Sequence, residues 1–323
     1  MTTDDRQSER AIVRRPPSSA RLMPVHPPPR QVGLIDSPHR PEALALAVEA
    51  QDMIRRTGAA VWMASSWDAP EVAERLGTSD LVLCFGGDGT LIRGARLAAP
   101  MGVPIVGVNF GKMGFLTEFE PHELASGLPA LLAGDYWLEE RITLAVEHRR
   151  NGQVMGTYLA INDAVVGRGR VNKVVRLHTW VDGQYMTSYA ADGLLVATPT
   201  GSTGSNLAAD GPVLPPDMAA LVLVPVMPFV SFRNALVLAA SSRVDVQVSL
   251  STPPPLHEAI LCVDGGPAVM VADGDRLSFT GGSVRCRFAR VRPKHYFHAA
   301  LVPKLLRGPI EPPLPVDTPS PGR

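Results

Sequence analysis

The sequence predicts an α/β region with a parallel sheet, followed by a region built mostly from antiparallel strands. Three observations carry this reading. From Gln31 to about Asn109, short β-like runs alternate with stretches of helical spacing. After about Arg141 the period becomes two, with Ile142, Leu144 and Val146 set between polar neighbours. The later β-like runs are punctuated by Asn151-Gly152, Asp182-Gly183, Asp264-Gly265 and Asp273-Gly274, pairs that tight hairpin turns favour.

Taken in order, residues 1–30 mix Arg, Ser and Pro, with Pro27, Pro28 and Pro29 in succession. Such a segment buries too little apolar area to offset its ordering entropy and reads as a flexible tail. Gln31–Ile35 is the first strand. Ala43, Ala47, Ala50 and Ile54 recur at helical spacing, and Gly58 stands where a helix C-cap belongs. Ala59–Met63 and Leu81–Phe85 are strands, Leu91–Ala99 is a helix, and Val103–Val108 is a further strand. Strands separated by helices of this length point to a parallel sheet covered on both faces. The α/β part is thus 31–138 and the β-rich part 139–289. The segment 290–307 closes in helix-like Ala299–Leu306, and 308–323 is a second Pro-rich tail.

Composition narrows the function classes. The 323 residues are 45% hydrophobic and 19% charged, enough for two domains with real cores. Lys and Arg number 31, as do Asp and Glu, so no bulk field favours nucleic acid or a membrane surface. The apolar run Ala219 to Val230 is interrupted by Pro225 and Pro228 and is too short to span a bilayer. Cys84, Cys262 and Cys286 are far apart and odd in number, suggesting neither a disulfide framework nor a zinc motif. A reducing cytoplasm fits this usage.

Phe85-Gly86-Gly87-Asp88-Gly89-Thr90 joins a buried strand to a helix expected to begin near Thr90. Glycines there permit left-handed angles and close ligand approach, and their N–H groups favour phosphate oxygens. A tight connection with Asp88 as N-cap is the plainer alternative. The run Asp192-Gly193 to Thr198-Pro199-Thr200-Gly201-Ser202-Thr203-Gly204-Ser205 offers small donors and acceptors suited to a sugar or phosphate, or simply a polar loop.

The combination of blocks is more specific than either part. Gly86-Gly87-Asp88-Gly89-Thr90, Gly107-Val108-Asn109 through Gly114-Phe115-Leu116-Thr117-Glu118, Asn162-Asp163, Asp192-Gly193, Thr198–Thr203 and Val263-Asp264-Gly265 together resemble the NAD kinases, in the family's order, over roughly residues 80–270. The resemblance implies a Rossmann-like α/β N-terminal domain and an all-β C-terminal domain with NAD in the cleft between them. It implies that the C-terminal segment returns to the first domain, and that the protein is a homodimer or homotetramer. It also implies transfer of phosphate from ATP, or polyphosphate, to the adenosine ribose 2′-hydroxyl of NAD, with Mg²⁺ arriving with the donor.

By the same resemblance Asp88 is the general base, flanked by Gly87, Gly89 and Thr90. Asn109 belongs to the nucleotide-binding set, and Gly114 and Phe115 shape the pocket wall, although Phe115 equally suits a core. Asn162 and Asp163 bind nucleotide, or form a polar bend at a strand end; Asp192 lies near the nicotinamide, or simply opens an Asp-Gly turn; and Thr200, Thr203, Gly204 and Ser205 line the site. Asp264 has the plain alternative of a turn. Arg93 and Arg96 either assist phosphates or are exposed helix arginines. Two departures stand out: Gly204-Ser205 replaces the family's Ala-Tyr, and Asp210-Gly211-Pro212 its Gly-Gly-Pro. Loss of an aromatic face against bound nucleotide costs about 1–3 kcal/mol if nothing replaces it. Two rival readings remain: a lipid or other small-molecule kinase sharing the glycine block, and a non-catalytic NAD- or NADP-binding sensor.

Overall fold

The computed structural model describes residues 26–37, 40–64, 70–170, 173–229, 232–251, 258–294 and 296–305. Residues 1–25 of the first expected tail, and all of the second at 308–323, lie outside the described residues. The first tail was expected to run through residue 30. Instead the backbone N–H of His26 donates to the Gly134 carbonyl at 2.9 Å, and its ring stacks on Tyr136 at 4.5 Å.

The first half follows the alternating pattern: β1 (Gln31–Asp36), α1 (Pro41–Arg56), β2 (Ala60–Ala64), α2 (Pro70–Leu76), β3 (Leu81–Gly86), α3 (Asp88–Ala98), β4 (Ile105–Asn109) and α4 (Leu124–Leu132). In α1 the buried residues are Ala43, Ala47, Ala50 and Ile54. That single apolar stripe docks the helix on the sheet, and Gly58 follows it at φ +87°. Strands β1 to β4 pair in parallel in the order β2-β1-β3-β4. The core β3 is buried at every residue, as a strand covered on both faces requires.

The second half is β5 (Trp137–Arg150), β6 (Gln153–Ala160), β7 (Asp163–Arg168), β8 (Val175–Val181), β9 (Gln184–Ala191), β10 (Gly193–Ala197), the one-turn α5 (Ser205–Ala208), β11 (Ala220–Val226), β12 (Leu236–Ala239), β13 (Arg243–Ser249), β14 (Ala259–Val263), β15 (Val269–Val271), β16 (Arg276–Arg290) and α6 (Tyr296–Leu305). Asn151-Gly152 and Asp182-Gly183 take positive φ at both residues and close the β5–β6 and β8–β9 hairpins. A six-stranded antiparallel sheet, β12-β11-β10-β7-β14-β15, packs on the second sheet through a core that includes Leu144, Leu177, Val196, Leu223, Val246 and Phe279.

The two halves share a sheet. The ten-stranded sheet runs β2-β1-β3-β4-β16-β13-β8-β9, with β5 branching from β16 and β6 pairing β5, because β16 lies parallel to β4 at Phe288↔Ile105. The long β16 therefore starts in the β-sandwich and ends against the parallel strands, which ties the two regions together on either side of the site.

Candidate active site

The loop after β3 is built by crowding rather than by left-handed backbone. Gly87 caps α3 at φ −86°, and neither Gly86, Gly87 nor Gly89 takes a positive φ, contrary to the expectation from the glycine-rich spelling. A Cβ on Gly86 would sit 2.6 Å from Thr90 Oγ1, and one on Gly111 would sit 2.9 Å from the Gly87 Cα. A Cβ on Gly89 would meet nothing within 4 Å, so this glycine leaves the helix start open. Helix α3 begins at Asp88, not near Thr90 or at Leu91.

Asp88 is consequently the first helical residue and not the cap. Its side chain reaches across to the Gly114–Leu116 turn, where the N–H of Phe115 donates to Oδ2 and that of Leu116 to Oδ1, both at 2.9 Å. A carboxylate has about four lone-pair sites, so two remain for a ligand. The turn itself is rigid. Gly114 sits at φ +62°, where a Cβ would strike Asn109 Nδ2 at 2.6 Å. Asn109 Nδ2 donates to Glu120, and its Oδ1 accepts from the Gly111 N–H at 2.9 Å. Phe115 is 8% exposed and belongs to the core as much as to the wall.

Behind this turn lies a buried ionic cluster that the sequence did not announce. Arg290, fully buried at the end of β16, donates to the Leu116 carbonyl at 2.8 Å and to Glu139 at 2.8 Å, and pairs with Glu118 at 3.3 Å. Arg141 adds a second cation on Glu139 at 3.0 Å. Burial alone would raise the Glu139 carboxyl, but the two guanidiniums outweigh it and hold it at about 2. The cluster fixes the backbone that orients Asp88.

The opposite wall is organised by Asp264, the sequence's plainest turn. Asp264 and Gly265 take φ +50° and +65°, so the Asp264 carboxylate turns back to accept from the N–H groups of Ile161, Asn162 and Asp163 at 2.9, 2.8 and 3.2 Å. The Thr198–Thr203 loop locks onto the same segment. Thr198 Oγ1 donates to the Ile161 carbonyl at 2.6 Å, and a Cβ on Gly201 would lie 2.3 Å from the Asn162 carbonyl oxygen. Asn162 Oδ1 and Thr200 Oγ1 are buried without a hydrogen-bond partner, and Thr203 Oγ1 donates only weakly to the Thr200 carbonyl at 3.4 Å. Burial pushes the Asp163 carboxyl up to about 6, against a hydrogen bond from Ser205 and with the Asp264 charge adding to the rise. Ser205, the residue standing where the family has Tyr, thus serves Asp163 directly, and Gly204 lies beside Asn162.

Between the walls runs a cleft of about 610 Å³ lined by Gly89, Ile92, Arg93, Arg96, Asp264 and Gly265 among others. Arg93 and Arg96 therefore face the cleft, and the Arg96 charge also acts on Asp264. Asp192, expected near the nicotinamide end of NAD, lies apart from this cleft. Asp163 pairs with Ala197 at one end of β10, whereas Asp192 precedes Gly193 at the other, roughly 15–20 Å away along the strand. There it pairs with Arg168 at 2.8 Å.

A glycine-built strand-to-helix loop beside a cleft lined by Arg93, Arg96 and Asp264, with a buried acid and small hydroxyls packed behind Asp264, on a parallel sheet fused to a β-sandwich, fits a nucleotide-binding phosphotransferase architecture. Comparison with known proteins narrows the class. The ATP-NAD kinase N-terminal domain matches residues 68–136, and the ATP-NAD kinase C-terminal domain matches 161–291. NAD kinases of Dehalococcoides mccartyi strain CBDB1 and Heliobacterium modesticaldum are 38% and 36% identical, over 85% and 82% of this chain and 96% and 95% of their own. The chain belongs to the NAD kinase family. A yeast NADH kinase solved with NADH shares the fold at TM-score 0.74 and 22% identity, covering 85% of this chain and 87% of that one. An Archaeoglobus fulgidus NAD kinase solved with ATP does so at 0.69 and 23%, covering 86% and 100%. These matches do not favour the lipid-kinase or sensor readings. Among the described residues no helix is long and apolar enough to cross a membrane.

Proposed function

We propose that this chain is an NAD kinase that transfers the γ-phosphoryl group of ATP to the 2′-hydroxyl of the adenosine ribose of NAD, giving NADP and ADP. The observation that supports the assignment of roles is the fixed direction of Asp88. Two backbone N–H groups orient its carboxylate at the N-terminus of α3, next to Gly89 on the cleft. The ribose hydroxyl donates to a remaining lone pair of that carboxylate. As the bond from phosphorus to the 2′-oxygen forms and the bond to the β-phosphate oxygen breaks, the hydroxyl proton passes to Asp88. A carboxylate is a weak base toward a sugar hydroxyl, so the proton leaves late and alignment supplies most of the rate.

Asn162 and Asp163 then hold the nucleotide, with Thr200, Thr203 and Ser205 beside them. The orphaned Asn162 Oδ1 and Thr200 Oγ1, and a buried Asp163 short of donors, are the groups a base edge and ribose hydroxyls would satisfy. Arg93 and Arg96 face the triphosphate. Among the described residues no three His, Cys, Asp or Glu side chains converge as a metal cage. Mg²⁺ arriving with ATP would neutralise charge on the donor beside Arg93 and Arg96. Assembly into a homodimer or homotetramer is supported by Met227 and Phe229, 75% and 74% exposed, and by the half-exposed Phe232. The free cysteines support a cytoplasmic location.

A coupled assay of the purified chain with Mg²⁺, ATP and either NAD, diacylglycerol or sphingosine tests the reading. NADP is the expected product, and the lipids give none. Nucleotide binding with no turnover, or turnover on lipid alone, would overturn it.

A further inference from the structure

One buried cation near Asp88 has no part in the scheme above. Lys304 lies in the last turn of α6 and is 8% exposed. Its ammonium donates to the Gly114 carbonyl and stands 5.8 Å from the centre of the Phe115 ring. The Gly114 carbonyl and the Phe115 N–H belong to one planar peptide unit. That N–H is the donor to Asp88 Oδ2. A hydrogen bond from a cation to the carbonyl polarises the amide and strengthens its N–H as a donor, so the three groups form a relay.

The surrounding charges leave Lys304 for this task. Arg290 is committed to Glu118 and Glu139, and Arg292 to Glu123 at 2.9 Å. The charged groups acting on Lys304 from the packed elements are Asp88 and Glu120, which favour the ammonium, and Arg292 and Arg290, which oppose it. We propose that Lys304 is a positioning residue for phosphoryl transfer, acting on Asp88 through the Gly114–Phe115 peptide and coupling the docking of α6 to a competent site. This rests on the reading of Asp88 given above. Burial of Lys304 brings its ammonium down to about 8, with Asp88 as the main opposing charge, so the relay weakens within an accessible pH range.

The test compares the full-length wild type with Lys304→Met and Lys304→Arg, each also in an Asp88→Asn background. Lys304→Met should lower kcat by about 10- to 100-fold with KM for NAD within about twofold, and Lys304→Arg should recover most of the loss. In the Asp88→Asn background the same Met substitution should cost less than about threefold, because the group it acts through is gone. The wild type should lose kcat/KM above about pH 8, a limb absent from Lys304→Met. An equal loss from Lys304→Met in both backgrounds, or a wild-type kcat/KM flat from neutral pH to well above the ordinary range of this limb, would overturn the proposal. The second measurement needs no variant to fold. Failure of the Asp88 reading shows separately, as full turnover by Asp88→Asn alone.

Discussion

The buried carboxylates on the two sides of the site are held in opposite ways. Behind the Asp88 turn, Glu139 is matched by two guanidiniums and held at about 2. Across the cleft, Asp163 is buried with a serine hydroxyl for relief and is pushed up to about 6, while Asp264, held by three N–H groups, is also raised by burial. The first arrangement is complete in the protein alone. The second leaves buried polar atoms nearby without partners, Asn162 Oδ1 and Thr200 Oγ1 among them. An acid raised by burial beside a cleft points to a functional site, whereas compensated pairs point to a frame. The contrast therefore separates the scaffold that aims Asp88 from the wall proposed to take nucleotide.

The contrast breaks most visibly at Glu139. Replacing it with Gln leaves two buried cations short of a counter-charge, and should cost about 3–5 kcal/mol of unfolding free energy in denaturant titrations at neutral pH. The sign with pH follows from the lowered pKa. The Glu139 contribution is fully present above its unfolded value near 4.5 and is lost as pH falls toward about 2. The variant should lack that acid-side loss. A Glu139→Gln protein as stable as wild type would place the orienting frame elsewhere.

The opposite response sharpens the comparison at Asp163. Its raised pKa means the folded state holds the proton more tightly than the unfolded chain. Stability from this group is present below 3.8 and is lost as pH rises through about 6. Asp163→Asn should therefore raise unfolding free energy by about 1–3 kcal/mol at pH 7 and flatten the decline between those values. Nucleotide affinity should fall at the same time. A variant less stable than wild type at pH 7 would mean that Asp163 is fully compensated after all.

Elements with a clean period were legible in the sequence, and those broken by punctuation were not. Ala43, Ala47, Ala50 and Ile54 mark α1 because a docked helix needs one apolar stripe. Helix α4 went unread because Gly127 and Pro129 interrupt it, although a Cβ on Gly127 would collide with the Phe119 ring at 2.2 Å. The start of α3 was placed late because Gly-Asp-Gly spells a loop. In the site, the residue types were legible and their partners were not. Nothing near Asp264 says that its carboxylate binds the backbone of a segment about a hundred positions earlier, nor that Arg290 and Lys304 serve the Asp88 turn from the far end of the chain. For Asp192 too the motif gives no distance: the fold sets it at the far end of β10 from Asp163.

The role of Asp88 is most directly tested by measuring steady-state turnover and NAD affinity of Asp88→Asn in parallel with wild type. The Asn side chain keeps the size of the original but not its charge or basicity. Turnover should fall by about 10²–10⁴ while the dissociation constant for NAD stays within about threefold. Turnover at the wild-type rate would contradict the account.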